Sequence, residues 1–154
     1  MQESSKKILV IEDDAISRSI LLYGLEAKGF YTIGAQNGIV GIQQAQEHLP
    51  NLVICNFMMP DIDGYRVLST LRLDPATAII PLIFLACRDT KGDFRKIMNL
   101  GADDYLTKPY TLEELLRAIA ARLEKQAFMR YWCTTNYQKI SASLSSSTTS
   151  SVDR

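Results

Sequence analysis

Acidic and amide side chains stand where apolar runs of the sequence end. Glu12 and Asp13 directly follow the run KILVI, and Asn56 follows the run LVIC. Carboxylate and amide oxygens are the ligands that hard cations such as Mg²⁺ prefer. Lys108, which follows the short segment DYLT, could neutralise a carboxylate or a bound phosphoryl group. Each residue alone suits an ordinary surface turn, so the combination is the informative feature.

Strands and helices that alternate along the chain would have to position these residues. Apolar runs predict five strands, and apolar residues near helical spacing predict five helices. The predicted strands cover residues 7–12, 30–35, 52–55, 81–87 and 104–107. The predicted helices cover residues 15–28, 38–48, 64–73 and 90–100, and a last helix is capped by Thr111 with Glu114 as its capping-box partner.

This alternation predicts right-handed crossovers and a parallel sheet with helices on both faces. Sheets of this kind bind ligands at the carboxyl ends of their strands, where the strand order reverses. The candidate residues at or just past those ends are Glu12, Asp13, Asp14, Asn56, Ala86 and Lys108.

Four segments carry a resemblance to a known family. ILVIEDD, NFMMPDIDGY, PLIFLACRD and GADDYLTKPY resemble, in order and spacing, the signature blocks of the receiver domain of two-component response regulators. The resemblance covers about residues 6–125. It implies a doubly wound, flavodoxin-like (βα)₅ fold with strand order 2-1-3-4-5, and a role in phosphorelay signalling through protein contacts rather than as an enzyme.

The same resemblance assigns a role to individual positions. Glu12 and Asp13 correspond to the metal-binding acidic pair, with Asp13 as a direct ligand and Glu12 acting through water. Asn56 takes the position of the phosphoacceptor aspartate. The remaining assignments are a metal-binding backbone carbonyl at Met58, switch positions at Ala86 and Tyr105, and a phosphoryl-binding lysine at Lys108.

Two of these positions depart from the family pattern. A carboxylate can attack phosphorus to form an acyl phosphate, whereas the amide of Asn56 is neutral and too weak a nucleophile. Ala86 has no hydroxyl with which to contact a phosphoryl group. We therefore expect an atypical receiver that aspartyl phosphorylation does not switch. It should bind Mg²⁺ only weakly, with the amide oxygen of Asn56 as a ligand beside Glu12, Asp13 and Met58, and Lys108 can pair with Asp13 instead.

Two alternatives stay open. The chain could be a decoy or adaptor receiver that a histidine kinase still recognises. It could instead be a thiol redox sensor, because Cys55 and Cys87 end neighbouring predicted strands and are expected to lie close together. Asp61 and Asp63 are conceivable substitute acceptors, although carboxylates before a glycine are more often turn residues.

Charge and composition narrow the class of partner. The 154 residues carry 17 basic and 17 acidic side chains, so net charge gives no argument for direct binding to nucleic acid or to a membrane. No segment has the pattern of a membrane span or a signal peptide, which predicts a cytoplasmic chain. The expected partners are a histidine kinase, a phosphotransfer or output protein, or a second copy of the chain.

The composition changes after the receiver-like part. Residues 126–140 form an aromatic extension that could continue the last helix, and its aromatic side chains suit a partner contact. Residues 141–154 are rich in serine and threonine, and we expect this segment to be a disordered tail.

Overall fold

The computed structural model describes residues 5–87 and 94–152, with strands and helices in strict alternation. The elements are β1 (Lys7–Ile11), α1 (Ala15–Ala27), β2 (Tyr31–Ala35), α2 (Gly38–His48), β3 (Leu52–Asn56), α3 (Gly64–Leu73), β4 (Leu82–Cys87), α4 (Phe94–Asn99), β5 (Asp104–Lys108) and α5 (Leu112–Val152). The start of the predicted fourth helix, at residue 90, falls outside the described residues.

The five strands form one parallel sheet in the order β2-β1-β3-β4-β5, which confirms the predicted strand order and the flavodoxin-like fold. Strand β3 is central and buried along its whole length, as its apolar sequence LVICN requires. Strand β5 lies at one edge, and its residues are only half-buried.

Side chains that alternate along each strand feed two cores, one on each face of the sheet. On one face, Leu9, Val53 and Phe84 pack with Val67 and Leu68 of α3. The opposite core consists of Ile8, Val10, Ile54, Ile83 and Leu85 from the sheet, with Leu21 and Leu25 of α1 and Leu115 and Ile119 of α5. Two covered faces leave the strand ends as the natural place for a site.

The pleat of the sheet separates the two strand-end cysteines. Cys55 pairs with Phe84 in the register of β3 and β4, so Cys87 lies three residues further along β4. Successive side chains of a strand point to opposite faces, and an offset of three therefore puts Cys87 on the face opposite to Cys55. The structure thus differs from the expectation that the two thiols lie close together.

The last helix is longer than the sequence patterns suggested. Helix α5 is continuous from Leu112 to Val152, so the aromatic extension continues it, and residues 141–152 are helical rather than disordered. Extending an existing helix adds one hydrogen bond per ordered residue without a new nucleation step. Side-chain hydroxyls of Thr134 and Ser146 donate to the carbonyls of Arg130 and Ser143 along this part.

Within the described residues, no helix combines the length and the hydropathy needed to cross a bilayer.

Candidate functional site

Three strands deliver the predicted site residues to one edge of the sheet. Asp13 follows β1 by two residues, Asn56 is the last residue of β3, and Lys108 is the last residue of β5. The structure brings these three side chains into one hydrogen-bonded group although they are far apart in the sequence. The parallel sheet makes this possible, because its strands all end at the same edge.

The amide of Asn56 is the centre of this group. Its Nδ2 donates to Asp13 Oδ1 at 2.9 Å and to the backbone carbonyl of Met58 at 3.0 Å. Its Oδ1 accepts from Lys108 Nζ at 3.1 Å. The opposite orientation would turn the NH₂ group towards the ammonium and the oxygen towards two acceptors, so the chemistry of the neighbours fixes the orientation of the amide.

The hydrogen bonds of the Asn56 amide determine whether the site can bind Mg²⁺. The Asp13 carboxylate and the Met58 carbonyl are two oxygens that the receiver resemblance predicts as metal ligands, and both accept hydrogen bonds from the Asn56 amide. A cation bound there would have to displace those N–H groups. In the described residues, no group of three or more histidine, cysteine or carboxylate side chains could hold a metal ion. As arranged, the site does not fit Mg²⁺.

Glu12 forms the buried floor of the site. It is only 2% exposed, its Oε1 lies 3.8 Å from Lys108 Nζ, and its Oε2 has no hydrogen-bond partner within the described part of the chain. Burial raises the pKa of Glu12, Lys108 opposes the rise and Asp13 adds to it. Lys108 therefore contacts Glu12 and Asn56, whereas the sequence had suggested Asp13, which the Asn56 amide already occupies.

The two predicted switch positions lie on β4 and β5. Ala86 is buried and pairs with Thr107 in the register of these strands. Tyr105 is half-buried and packs against the core that contains Phe84. Their assignment as switch equivalents stays a prediction, and the side chain of Ala86 is a buried methyl group that cannot form a hydrogen bond.

The two carboxylates after β3 are engaged in building turns. Asp61 accepts hydrogen bonds from the backbone N–H groups of Gly38 and Ile39, at 3.2 and 3.0 Å. Burial would raise the pKa of Asp61, but backbone hydrogen bonds, among them those from Ile39 and Gly38, lower it overall. Asp63 is the N-cap of α3 and accepts from Arg66 N.

The turn into α3 also depends on a glycine. A Cβ atom added to Gly64 would come within 2.6 Å of the Phe84 ring. Gly64 therefore allows the loop that carries Met58 to approach the sheet closely. Its backbone N–H also donates to the Phe57 carbonyl at 2.8 Å, which closes the loop.

One surface beside the site was not identified from the sequence. Ile16, Ile20 and Tyr23 of α1 are exposed, and a groove of about 680 Å³ lies between α1 and the start of α5, lined in part by Ile20, Tyr23, Tyr110 and Leu112. In the sequence, Ile16 and Ile20 fall near the same helical spacing as Leu21 and Leu25, which does not distinguish them from buried residues. Their spacing with Tyr23 marks a second apolar side of α1, distinct from the buried Leu21 and Leu25.

Curated relatives of this chain are described as transcriptional regulators. The probable transcriptional regulator ycf27 of Guillardia theta is 33% identical over 136 residues, which cover 86% of this chain and 52% of that protein. The DNA-binding dual master transcriptional regulator RpaA of Synechocystis sp. is 36% identical over 119 residues, 77% of this chain and 49% of that protein. The chain thus spans about half the length of the curated relatives it matches.

A solved structure agrees with the sequence relatives. A putative response regulator from Chloroflexus aurantiacus superposes with a TM-score of 0.74 at 28% identity, covering 79% of this chain and 99% of that one. Residues 8–120 match the family described as the response regulator receiver domain, and they contain every predicted site residue. The chain therefore belongs to the response regulator receiver domain family of two-component signalling.

Proposed function

We propose that this chain is an atypical receiver that works through protein–protein contact and that aspartyl phosphorylation does not switch. The observation that carries the proposal is the hydrogen bonding of the Asn56 amide to Asp13, Met58 and Lys108. These bonds satisfy the groups that a phosphorylatable receiver would use for the metal and the phosphoryl group.

The chemistry of residue 56 supports this proposal first. An amide oxygen is neutral and cannot replace a carboxylate as the nucleophile that forms an acyl phosphate. The nearby Asp61 and Asp63 do not substitute for it, because their oxygens accept backbone hydrogen bonds that hold two helix N-termini.

The electrostatics of the site point the same way. Two like charges about 4 Å apart repel by roughly 1–4 kcal/mol at effective dielectric constants between those of water and a protein surface. An amide at position 56 removes one such charge beside Asp13 and adds hydrogen bonds instead. The site is thereby stabilised without a metal and becomes a structural part of the domain.

Ala86 removes the second part of the switch. A conformational change requires a contact that differs between two states. Because Ala86 has no hydroxyl, a phosphoryl group placed over the strand ends would lack the contact that draws in the loop after β4. A single substitution at Asn56 would therefore not be enough to regain switching.

The expected partners are signalling proteins: a histidine kinase, a phosphotransfer protein or an output protein. RpaA is named as a DNA-binding regulator, but this chain spans about half of it, and the matched half is the receiver. We therefore propose cytoplasmic protein contact, not DNA binding and not catalysis, as the activity of this part.

Intact-mass measurement tests the proposal. Incubation with acetyl phosphate, or with an active histidine kinase, should leave the mass of the native chain unchanged, whereas Asn56→Asp should gain a hydroxylamine-sensitive phosphoryl group. Asn56→Ala is the matched control, because it also loses the amide contacts but gains no nucleophile. A phosphoryl adduct on any aspartate of the native chain would refute the proposal.

A decoy or adaptor role is the second candidate, and the groove beside α1 favours it. The two segments that carry Asp13 and Lys108 lead directly into the walls of that groove, so a protein docked there would meet the strand-end site. If this role holds, the chain should slow phosphotransfer from a histidine kinase to that kinase's own receiver. Ile20→Glu should abolish the inhibition, while Tyr31→Ala, an exposed aromatic change on β2, should not.

The thiol-sensor alternative receives no such support. Burial raises the pKa of Cys55, and its Sγ lies 3.3 Å from the carbonyl of Asn56 inside the core. A thiol with a raised pKa contains little of the reactive thiolate at neutral pH. With Cys87 on the opposite face of the sheet, the pair is not placed to form a disulfide.

A further inference from the structure

A second groove lies at the amino ends of β4 and β5, at the opposite end of the sheet from Asn56. It has a volume of about 450 Å³, and its apolar walls come from the segment before β4 and from α5. Ala78, Ile79 and Pro81 line the domain side, and Met129 and Cys133 line the helix side. Gln126 Nε2 holds the two sides together by donating to the Ile79 carbonyl at 3.1 Å.

The rim of this groove is strongly basic. Its charged lining residues are four cations and one carboxylate: Arg72, Arg122, Lys125, Arg130 and Asp103. Asp103 forms an ion pair with Arg72 at 3.0 Å, so three cations remain uncompensated among the lining residues. Arg122 uses one terminal nitrogen for the carbonyl of Asp103, and its Nε has no hydrogen-bond partner in the described structure. An apolar floor with a cationic rim suits an apolar side chain flanked by carboxylates.

The helical wall of the groove continues as an apolar face beyond the domain. Met129, Cys133 and Ile140 are spaced by four and seven residues, which places them on one side of α5, and the rim residue Arg122 lies on the same side seven residues before Met129. Trp132, three residues after Met129, flanks this side and is 52% exposed. From Arg122 to Ile140 the face is about 27 Å long, nearly the length of a 20-residue helix.

The positive charge of this part of α5 distinguishes between a second copy of the chain and an acidic protein as its binding partner. Between Glu124 and Asp153 the sequence contains Lys125, Arg130 and Lys139 but no acidic residue. Pairing of this segment with the same segment of a second copy would bring only like charges together, in either orientation. Facing charges of one sign disfavour an interface, so symmetric pairing leaves these cations without carboxylates, whereas an acidic partner protein supplies them.

We propose that this groove, together with the face of α5 that continues it, binds an acidic amphipathic helix of a partner protein. Apolar side chains of that helix would enter between Ile79 and Met129, and its carboxylates would meet Arg122, Lys125 and Arg130. The proposal goes beyond the loss of phosphorylation at Asn56. It concerns the opposite end of the sheet, so either proposal can fail without the other.

Fluorescence anisotropy with two designed peptides tests the proposal on the full chain. Both peptides have about 20 residues in a heptad pattern with leucine on one face. One carries glutamate on the flanks of that face, and the other carries lysine at the same positions. The native chain should bind the glutamate peptide at least about ten-fold more tightly than the lysine peptide, and added salt should reduce the difference.

Matched variants locate the binding. Lys125→Glu combined with Arg130→Glu should reverse the preference between the peptides, and Met129→Asp should weaken binding by about ten-fold or more. Lys28→Glu, a charge reversal at the C-cap of α1, and Tyr131→Ala, on the opposite side of α5, should change little. All substituted side chains are exposed, and circular dichroism would verify that each variant is folded.

Three outcomes would overturn the proposal. Equal affinity of the native chain for both peptides would remove the charge argument. Binding that Lys125→Glu with Arg130→Glu and Met129→Asp leave unchanged would place the site elsewhere. Sedimentation of the native chain as a dimer that Met129→Asp dissociates would show that a second copy, and not an acidic partner, covers the face.

Discussion

The two ends of the sheet differ in how their polar and apolar groups are satisfied. At the carboxyl end, the amide of Asn56 lies between Asp13, Met58 and Lys108, and each contact is made within the domain. At the amino end, three cations line a groove without a compensating carboxylate, and the helix that forms one wall leaves Trp132 half exposed. At the carboxyl end, the Asn56 amide is hydrogen-bonded to residues of the domain itself. At the amino end, three cations have no carboxylate partner among the residues that line the groove.

The site that corresponds to the phosphorylation site of receivers, around Asn56, therefore lies at the end of the sheet opposite to the groove that we propose as a protein-binding surface. The Asn56 amide has partners for both its oxygen and its NH₂ group, so it stabilises one arrangement of the strand ends and has little left to offer a ligand. An exposed apolar surface rimmed by charge is typical of an interaction site. The proposed absence of a nucleophile at residue 56 is therefore compatible with a function in protein contact.

Breaking the domain wall of the groove should have the largest effect on stability. Arg72 bonds the carbonyls of Ile80 and Gly101 and forms an ion pair with Asp103, so it ties three segments together. Hydrogen bonds of charged groups contribute about 1.5–3 kcal/mol each and are not additive, so Arg72→Ala should lower the free energy of unfolding by about 2–4 kcal/mol. Urea denaturation measures this change.

Arg66→Ala provides the control, since that side chain is exposed on the same helix. If Arg72→Ala were as stable as Arg66→Ala, the contacts of Arg72 would not stabilise the domain side of the groove, and the groove would lack the rigid wall that we assign to it.

Magnesium binding should change next most strongly. Asn56→Asp restores a third carboxylate beside Glu12 and Asp13 and removes the N–H groups that occupy Asp13 and Met58. We expect Asn56→Asp to bind Mg²⁺ about ten-fold or more tightly than the native chain in the same buffer, as isothermal titration would measure. Adding Asp13→Ala should reverse the gain. Equal or tighter binding by the native chain would contradict the view that this end is closed.

The pH dependence of stability should respond to Glu12 by a smaller amount. Burial raises its pKa above the ordinary value of 4.5 in the folded chain, with Lys108 opposing the rise. Between 4.5 and that raised value the folded state binds more protons than the unfolded state, so stability falls as pH rises through this window. Glu12→Gln, which stays neutral, should flatten this part of the profile and melt at a higher temperature relative to the native chain at pH 7 than at pH 4.

Glu113→Gln, an exposed change at the start of α5, should leave the profile as it is. A native profile that rises with pH through the window, or one that Glu12→Gln does not alter, would show that the buried carboxylate is compensated by its neighbours.

Truncation should have the smallest effect on stability. Phe128, Tyr131, Trp132 and Tyr137 are exposed, so deletion of residues 127–154 removes little buried apolar surface. The melting temperature should stay nearly unchanged, as it should after deletion of residues 141–154 alone. Only the longer deletion should abolish binding of the acidic peptide. A large fall in melting temperature would show that the extension belongs to the core.

Local signals in the sequence predicted most of the fold. The bounds of α2 and α3 agree with the predicted ranges, and the Thr111 hydroxyl accepts a hydrogen bond from Glu114 N at 3.1 Å as its capping pattern predicted. Apolar runs located the buried strands because a parallel sheet covered on both faces leaves them no polar positions. These features depend on neighbours within a few residues.

The geometry of the site could be predicted only in part. The sequence placed Asn56 at the right edge of the sheet, but the direction of its amide depends on Asp13 and Lys108, which are 43 and 52 residues away. The opposite faces of Cys55 and Cys87 follow from the two-residue period of a strand only once the register of β3 and β4 is known. No sequence pattern predicted the groove between Ile79 and Met129, because its two walls are about 50 residues apart in the sequence and meet only in the folded chain.

The continuity of α5 has a mechanical consequence. One end of this helix is packed under the sheet through Leu115 and Ile119, and Gln126 ties it to Ile79 before it leaves the domain. The helix beyond Gln126 is roughly 40 Å long, so a tilt of about 5° at the domain moves its far end by about 3 Å. A partner bound to the far end of α5 could therefore shift the packing of Leu115 and Ile119 under the sheet. Conversely, a small change in that packing would move the far end of the helix relative to the domain.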